Sequence, residues 1–234
     1  MSKLLQILSE NLAAVRTRMA AACQVAGRSA DSVQLIAVTK YAQVEWIEGL
    51  IALGLTQFGE NRPQQLEERQ ARWPQVHWHL IGHLQRNKAK SVAGRAALIH
   101  SIDSSRLAER LSELALSDPT IGRIPMLCEV NVSGEASKDG FTIADLQADW
   151  EKLLGLPGVD LRGLMTMAPL ADDPDAARPV FAKLRQLRDE LRARSPVEVT
   201  VPELSMGMSG DFEVAIEEGA TLIRVGSRLF EGLD

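Results

Sequence analysis

The sequence is poor in the residues that staple, stack or bind metals. Only two of its 234 residues are cysteine, Cys23 and Cys128, far apart and without metal-ligand spacing. That excludes a disulfide framework and points to a reduced compartment. Aromatics make up 4% of the chain, with a single tyrosine, Tyr41, so stacking platforms for single-stranded nucleic acid are scarce. Basic residues are outnumbered, 26 against 31 acidic, for a formal net charge of −5. This balance argues against nucleic acid or an anionic membrane as the main partner. No apolar run approaches the length of a membrane span, and the N-terminus lacks a signal peptide's apolar stretch. What is there is an ordinary soluble balance, 45% hydrophobic and 24% charged, with no linker, repeat or low-complexity tract. The expectation is a cytoplasmic protein built as one domain over residues 1–234.

The pattern within that domain alternates. Leu4, Leu8, Leu12, Val15 and Met19 recur at helical spacing, and Gly27 is placed to end that first helix. Short apolar runs follow at 35–38, 56–59, 77–81, 98–101, 126–132, 160–165, 203–205 and 222–225. Amphipathic stretches fill most gaps, the clearest through Val180, Leu184, Leu187 and Leu191. Gly54 and Gly219 sit where a helix should stop shortly before a strand. Eight strands alternating with helices predict an α/β fold, a (β/α)8 TIM barrel with an extra N-terminal helix. That helix is expected to cross the barrel's bottom or join two subunits. A doubly wound open sheet is the alternative, but it would favour a glycine-rich turn after the first strand, where Thr39-Lys40-Tyr41 stands.

Two features could carry chemistry at one end of such a barrel. Alternation places Ile36, Val38 and Lys40 on one face, so Lys40 should point into the mouth from semi-buried surroundings, where a neutral amine can attack a carbonyl. A strand-end lysine that only reaches for solvent is the plainer alternative. The second feature is Leu204-Ser205-Met206-Gly207-Met208-Ser209 together with Leu222-Ile223-Arg224-Val225-Gly226-Ser227. Ends of the seventh and eighth strands often bind phosphate in barrels. Gly226 permits close approach of an anion, and Ser205 and Ser227 offer hydroxyls. Ser209 is placed to cap the following helix. Two glycine turns with nothing bound remain the alternative. His77 and His79 share a strand face, but a metal site needs ligands from other strands, and only His100 is offered, so no metal is expected. Arg86, Lys88, Lys90 and Arg95 read as a solvated face, and Met165 and Met167 as packing or the wall of a flat ligand.

Taken together these segments resemble the pyridoxal phosphate homeostasis protein family, single-domain relatives of the alanine racemase barrel. The matching stretches are Ala37-Val38-Thr39-Lys40, Phe58-Gly59-Glu60-Asn61, Trp78-His79-Leu80-Ile81-Gly82 with Leu84-Gln85-Arg86-Asn87-Lys88, Val130-Asn131-Val132-Ser133-Gly134-Glu135, residues 163–169, and 204–209 with Arg224-Val225-Gly226. Tyr41-Ala42-Gln43 departs from the polar residues and proline usual after the lysine. The resemblance implies pyridoxal 5′-phosphate held as a Schiff base on Lys40, with Arg224 facing the ring nitrogen. It places Ser205, Gly226 and Ser227 on the phosphate, and Asn61, His79 and Met165 around the cofactor.

Whether such a protein is an enzyme turns on its acids and bases. Racemisation needs two such groups on opposite faces. In the related racemases the second is a tyrosine from an added C-terminal domain. Here the sequence ends at Asp234, directly after the last barrel element, and its only tyrosine adjoins Lys40. An arginine partner also weakens the ring as an electron sink. The reading is therefore a non-catalytic carrier or regulator of intracellular pyridoxal phosphate, affecting amino-acid and keto-acid balance. Pyridoxal-phosphate-dependent apoenzymes are candidate partners, and a monomer or weak dimer is expected. A weak racemase and a sugar-phosphate aldolase using Lys40 are the competing readings.

Overall fold

The computed structural model describes residues 2–135 and 139–233; Met1 and Asp234, the ends of the expected 1–234 domain, lie outside them. Eight parallel strands close into a barrel in chain order. They are β1 (Gln34–Val38), β2 (Gln57–Glu60), β3 (His77–Leu80), β4 (Leu98–Ile102), β5 (Ile124–Glu129), β6 (Val159–Met165), β7 (Glu203–Ser205) and β8 (Leu222–Val225). Closure comes through β1 and β8, from Gln34 opposite Leu222 to Ala37 opposite Val225. The open-sheet alternative is thereby excluded. The expected strand 126–132 runs furthest past its end: β5 stops at Glu129, and Val130 instead bridges Phe141.

The helices are α1 (Lys3–Val25), α2 (Val44–Ala52), α3 (Pro63–Arg72), α4 (Ala89–Val92), α5 (Ser105–Ser117), α6 (Ile143–Leu154), α7 (Arg178–Ala193) and α8 (Phe212–Glu217). Each strand from β1 to β7 is followed by one of them, but β8 leads only into a single turn of 3-10 helix, Ser227–Leu229. The N-terminal helix fills the vacant place in the outer ring. Its stripe of Leu8, Leu12, Val15 and Met19 is buried, and α1 packs between α2 and α8. A Cβ on Gly49 of α2 would lie 2.5 Å from Leu8 Cδ1, so that glycine lets the two helices meet closely. Arg18 pairs with Glu213 of α8, and the Asn11 amide donates to the carbonyls of Leu229 (3.2 Å) and Glu231 (2.9 Å). The expectation that α1 crosses the barrel's bottom is corrected, because its apolar face is buried in the outer ring between α2 and α8.

Strand alternation divides the core. Phe58, Trp78, Ile99, Met126, Leu164, Leu204 and Ile223 face the helices as one large cluster. Ile36, Leu98, Leu127, Met165 and Leu222 form a separate cluster inside the barrel. They share that interior with buried polar residues, and these build the site. No described helix is long and apolar enough to cross a membrane.

Candidate functional site

Lys40 lies beyond the end of β1 rather than within it. The Thr39 amide donates to the Gly59 carbonyl at 3.0 Å, and the Ala42 amide donates back to the Thr39 carbonyl at 2.9 Å. These bonds close a turn with Lys40 and Tyr41 at its tip. Strand alternation therefore no longer governs Lys40, which is exposed, with Nζ 5.1 Å from the centroid of the 84% exposed Tyr41 ring. The expected semi-buried lysine is corrected on this point.

Both ends of the turn are anchored to one pair, the buried Glu60 and the half-buried Arg69. Thr39 Oγ1 donates to Glu60 Oε1 at 2.6 Å, Arg69 Nε stands 3.7 Å from the same oxygen, and Arg69 donates to the Ala42 carbonyl at 3.1 Å. Burial raises the Glu60 pKa, opposed by the Thr39 hydrogen bond and the Arg69 charge. Its Oε2 is buried without a hydrogen-bond partner among the described residues. Lys40 thus presents an exposed side chain on a turn hydrogen-bonded at both ends.

Inside the barrel the structure brings together His79, Ser205 and Arg224 and adds His100, which the sequence offered only as a weak metal ligand. Arg224 is buried; it donates to Ser205 Oγ at 2.6 Å and to the Thr166 carbonyl at 3.0 Å. Ser205 Oγ lies 2.8 Å from His100 Nδ1, His100 Nε2 lies 2.9 Å from His79 Nδ1, and His79 Nε2 lies 2.8 Å from Gln57 Oε1. Burial holds His79 down to about 3, helped by the nearby His77, and pushes His100 well below the usual histidine range, so both rings are neutral. Burial lowers Arg224 to about 10, opposed by Glu129 and Asp211; it stays charged at neutral pH. Ser205 and His79 therefore lie behind Arg224. Ser205 is the last residue of β7, fully buried, with its hydroxyl engaged by Arg224 and His100.

The loops after β7 and β8 are tied to each other. The Arg224 amide donates to the Gly207 carbonyl at 3.0 Å, and the Gly226 amide donates to Ser209 Oγ at 3.2 Å. Gly207 has φ +91°, and a Cβ there would lie 2.5 Å from Ala215 Cβ, so no other residue fits this crossing. Ser209 does not cap α8, whose N-cap residue is Asp211; its hydroxyl joins the two loops instead. Arg228, which the sequence reading passed over, donates to the Ser209 carbonyl at 3.3 Å and brings a cation to the exposed Ser227 and half-buried Gly226. Asn61 follows β2 half-buried. A Cβ on Gly82 would lie 2.4 Å from the Asn61 carbonyl oxygen, so the ends of β2 and β3 meet here. Met165 ends β6, fully buried in the interior cluster.

Glu129, two residues on from the interior Leu127, completes the charge around Arg224. Burial foremost, then Asp139, pushes its carboxyl up to about 7; Arg224 opposes, Asp103 adds to the rise, and His83 opposes. His83 Nδ1 lies 3.4 Å from Asp103 and 3.3 Å from Asp139. An unfolded glutamate loses its proton near ~4.3, so between there and about 7 the folded chain binds more protons. Stability from this group is present below the unfolded value and is lost as pH rises through the folded one. Glu129→Gln is expected to flatten the fall in Tm over that window, measured by thermal unfolding across pH. A variant that declines as steeply as its parent would show that Glu129 is not the responsible group.

No group of three or more His, Cys, Asp or Glu able to hold a metal occurs among the described residues. The donor set suits a different ligand: one exposed amine, one buried guanidinium, and two joined loops with hydroxyl, amide and guanidinium donors.

Comparison with known proteins agrees over nearly the whole chain. The family described as alanine racemase, N-terminal domain, matches residues 10–233. A pyridoxal phosphate homeostasis protein from Aquifex aeolicus is 42% identical over 94% of this chain and 96% of its own. One from Pseudomonas aeruginosa is 38% identical over 97% and 96%. Among solved structures, PipY of Synechococcus elongatus with pyridoxal phosphate bound superposes with TM-score 0.81 at 38% identity, covering 95% of this chain and 99% of that one. An alanine racemase from Clostridium difficile shares the fold, with TM-score 0.76 at 14% identity, covering 96% of this chain and 56% of the racemase. The chain belongs to the alanine racemase N-terminal domain family and, within it, to the pyridoxal phosphate homeostasis proteins.

Proposed function

We propose that this chain is a cytoplasmic, non-catalytic carrier and regulator of pyridoxal 5′-phosphate, acting as one barrel domain and as a monomer or weak dimer that supplies apoenzymes. The observation that carries this reading is that the Lys40 turn, the buried Arg224 guanidinium and the joined loops after β7 and β8 all belong to the C-terminal ends of strands in one closed barrel. These suit the aldehyde, ring nitrogen and phosphate of the cofactor in chemical kind. A relative 38% identical to this chain has been solved with pyridoxal phosphate bound.

In this reading Lys40 takes the aldehyde and Arg224 faces the ring nitrogen. Ser209, Gly226, Ser227 and Arg228 hold the phosphate, with Asn61 and Met165 beside the ring. When bound, the cofactor supplies an electrophilic aldehyde and an electron-accepting ring. Arg224 donates a proton it does not give up, so it keeps the ring nitrogen unprotonated and the ring a poor electron sink. The only tyrosine lies on Lys40's own side, stacked near its Nζ, so it cannot serve as the acid on the opposite face.

The test is the visible absorption spectrum of the purified protein incubated with pyridoxal phosphate, then borohydride reduction and peptide mapping. A pyridoxyl group on Lys40 is the expected result, and a colourless, unmodified protein overturns the reading. The non-catalytic part is tested by α-proton exchange of amino acids in deuterated water. Exchange at an enzyme's rate would make the chain a racemase-like enzyme.

A further inference from the structure

Among the described residues no carboxylate hydrogen-bonds the buried guanidinium of Arg224, although the charges of Glu129 and Asp211 act on it. Its hydrogen bonds go to a hydroxyl and a backbone carbonyl, both neutral. A buried charge held this way has its position fixed by the neutral groups that hydrogen-bond it, since the carboxylates that act on it make no direct bond. The groups behind it form a chain whose direction can be worked out bond by bond. An arginine only donates, so Ser205 Oγ accepts from Arg224. The serine hydrogen then has one acceptor in reach, His100 Nδ1 at 2.8 Å. That leaves the His100 proton on Nε2, which donates to His79 Nδ1, and the His79 proton on Nε2, which donates to Gln57 Oε1. The guanidinium at the near end sets this direction, and Gln57 presents its carbonyl oxygen at the far end, as that direction requires. Tautomers follow from the partners in such a network.

We propose that Gln57, His79, His100 and Ser205 form a one-way hydrogen-bond relay that positions the Arg224 guanidinium, with both imidazoles neutral and protonated on Nε2. The four are positioning residues, acting on the site through Arg224. Charging either histidine would reverse a donor, because an imidazolium has no acceptor nitrogen. His100 would then face the Ser205 hydrogen and the nearby Arg224 charge, and His79 would face His100 and the nearby His77. Because Arg224 is taken to face the cofactor ring, the functional consequence rests on the proposed function. The relay itself does not.

The cofactor-free arm is histidine and arginine side-chain nitrogen NMR on the full chain. The expected result is the Nε2–H form for His79 and His100, unchanged between about pH 5 and 8, and a sharp Arg224 Nε–H signal. In Ser205→Ala that signal should broaden and His100 should lose its single tautomer. An Nδ1–H form at either histidine, or an Arg224 signal indifferent to Ser205→Ala, overturns the relay whether or not any cofactor binds.

The second arm uses pyridoxal phosphate itself. His100→Leu should move the absorption band of the bound cofactor and weaken binding roughly 10-fold, equivalent to about 1.4 kcal/mol. His100→Gln can accept from Ser205 and donate to His79, so it should restore the parental band. A purely structural role would lower Tm in both variants and leave both bands in place, which would overturn the positioning claim. Failure of the parent to bind the cofactor, with the NMR results as expected, would count against the proposed function alone.

Discussion

Replacing Lys40 with alanine is expected to abolish covalent capture of pyridoxal phosphate completely, while leaving the barrel intact and a weaker, non-covalent phosphate site in place. The side chain is exposed and is carried by a turn whose ends are fixed elsewhere, through Thr39 to Glu60 and through Arg69 to the Ala42 carbonyl. Truncating an exposed side chain of this kind changes stability by no more than about 0.5 kcal/mol. The proposed phosphate donors stand on the loops after β7 and β8, which are tied to each other and not to Lys40. Intact mass after borohydride reduction should show no added pyridoxyl group. Dialysis should strip the cofactor from the variant but not from its parent, and Tm without cofactor should be unchanged. An adduct of parental yield on another lysine would show that Lys40 is not the amine. A large drop in Tm would show that the turn depends on the lysine for its shape.

The barrel was legible because fully covered parallel strands read as short continuous apolar runs, and glycines such as Gly54 and Gly219 mark where helices stop. The place of α1 was not. Its periodicity announces a helix, but only closure of β1 on β8, with a lone 3-10 turn after β8, shows that the ring lacks one helix and that α1 supplies it. Likewise nothing in the run 126–132 shows that Val130 leaves the sheet to bridge Phe141.

The site divides in the same way. Lys40, Arg224 and Gly226 stand in recognisable segments, and the pairing of the two C-terminal loops was visible in the positions of their glycines and serines. The relay was not, since its bonds join residues 105 apart, as between His100 and Ser205, or 21 apart, as between His79 and His100. One signal was available: alternation from Leu98 puts His100 on the interior face, and alternation from Gly59 does the same for Gln57. Treating His100 as a spare metal ligand hid it. Glu60 was quoted only as part of a segment, and its tie to Thr39 requires knowing that β1 and β2 are neighbours.

The largest expected loss of stability comes from a position with no chemistry of its own. An alanine at Gly163 would place its Cβ 1.9 Å from the Glu203 carbonyl oxygen, 2.7 Å from its carbon and 3.0 Å from its Cα. All three are backbone atoms, so no side chain can swing aside, and β6 must part from β7. That pairing has little to spare: β7 is three residues long, and its register is Gly163 with Glu203, Leu164 with Leu204 and Met165 with Ser205. A cost of about 3 kcal/mol or more is expected, a large share of a typical domain's stability. Gly155→Ala is the control, since its added Cβ would meet only ordinary contacts at 3.5 Å. Urea unfolding of both variants decides the point, and a Gly163→Ala midpoint equal to the parent's would mean the strands do not approach so closely. The same separation would pull the Thr166 amide from the Ser205 carbonyl (3.1 Å) and the Thr166 carbonyl from Arg224 (3.0 Å). The molecules that remain folded should therefore bind pyridoxal phosphate with a displaced absorption band. A methyl group on the β6 backbone would then be felt at the ring, because Arg224 is held by backbone that this one glycine allows to close.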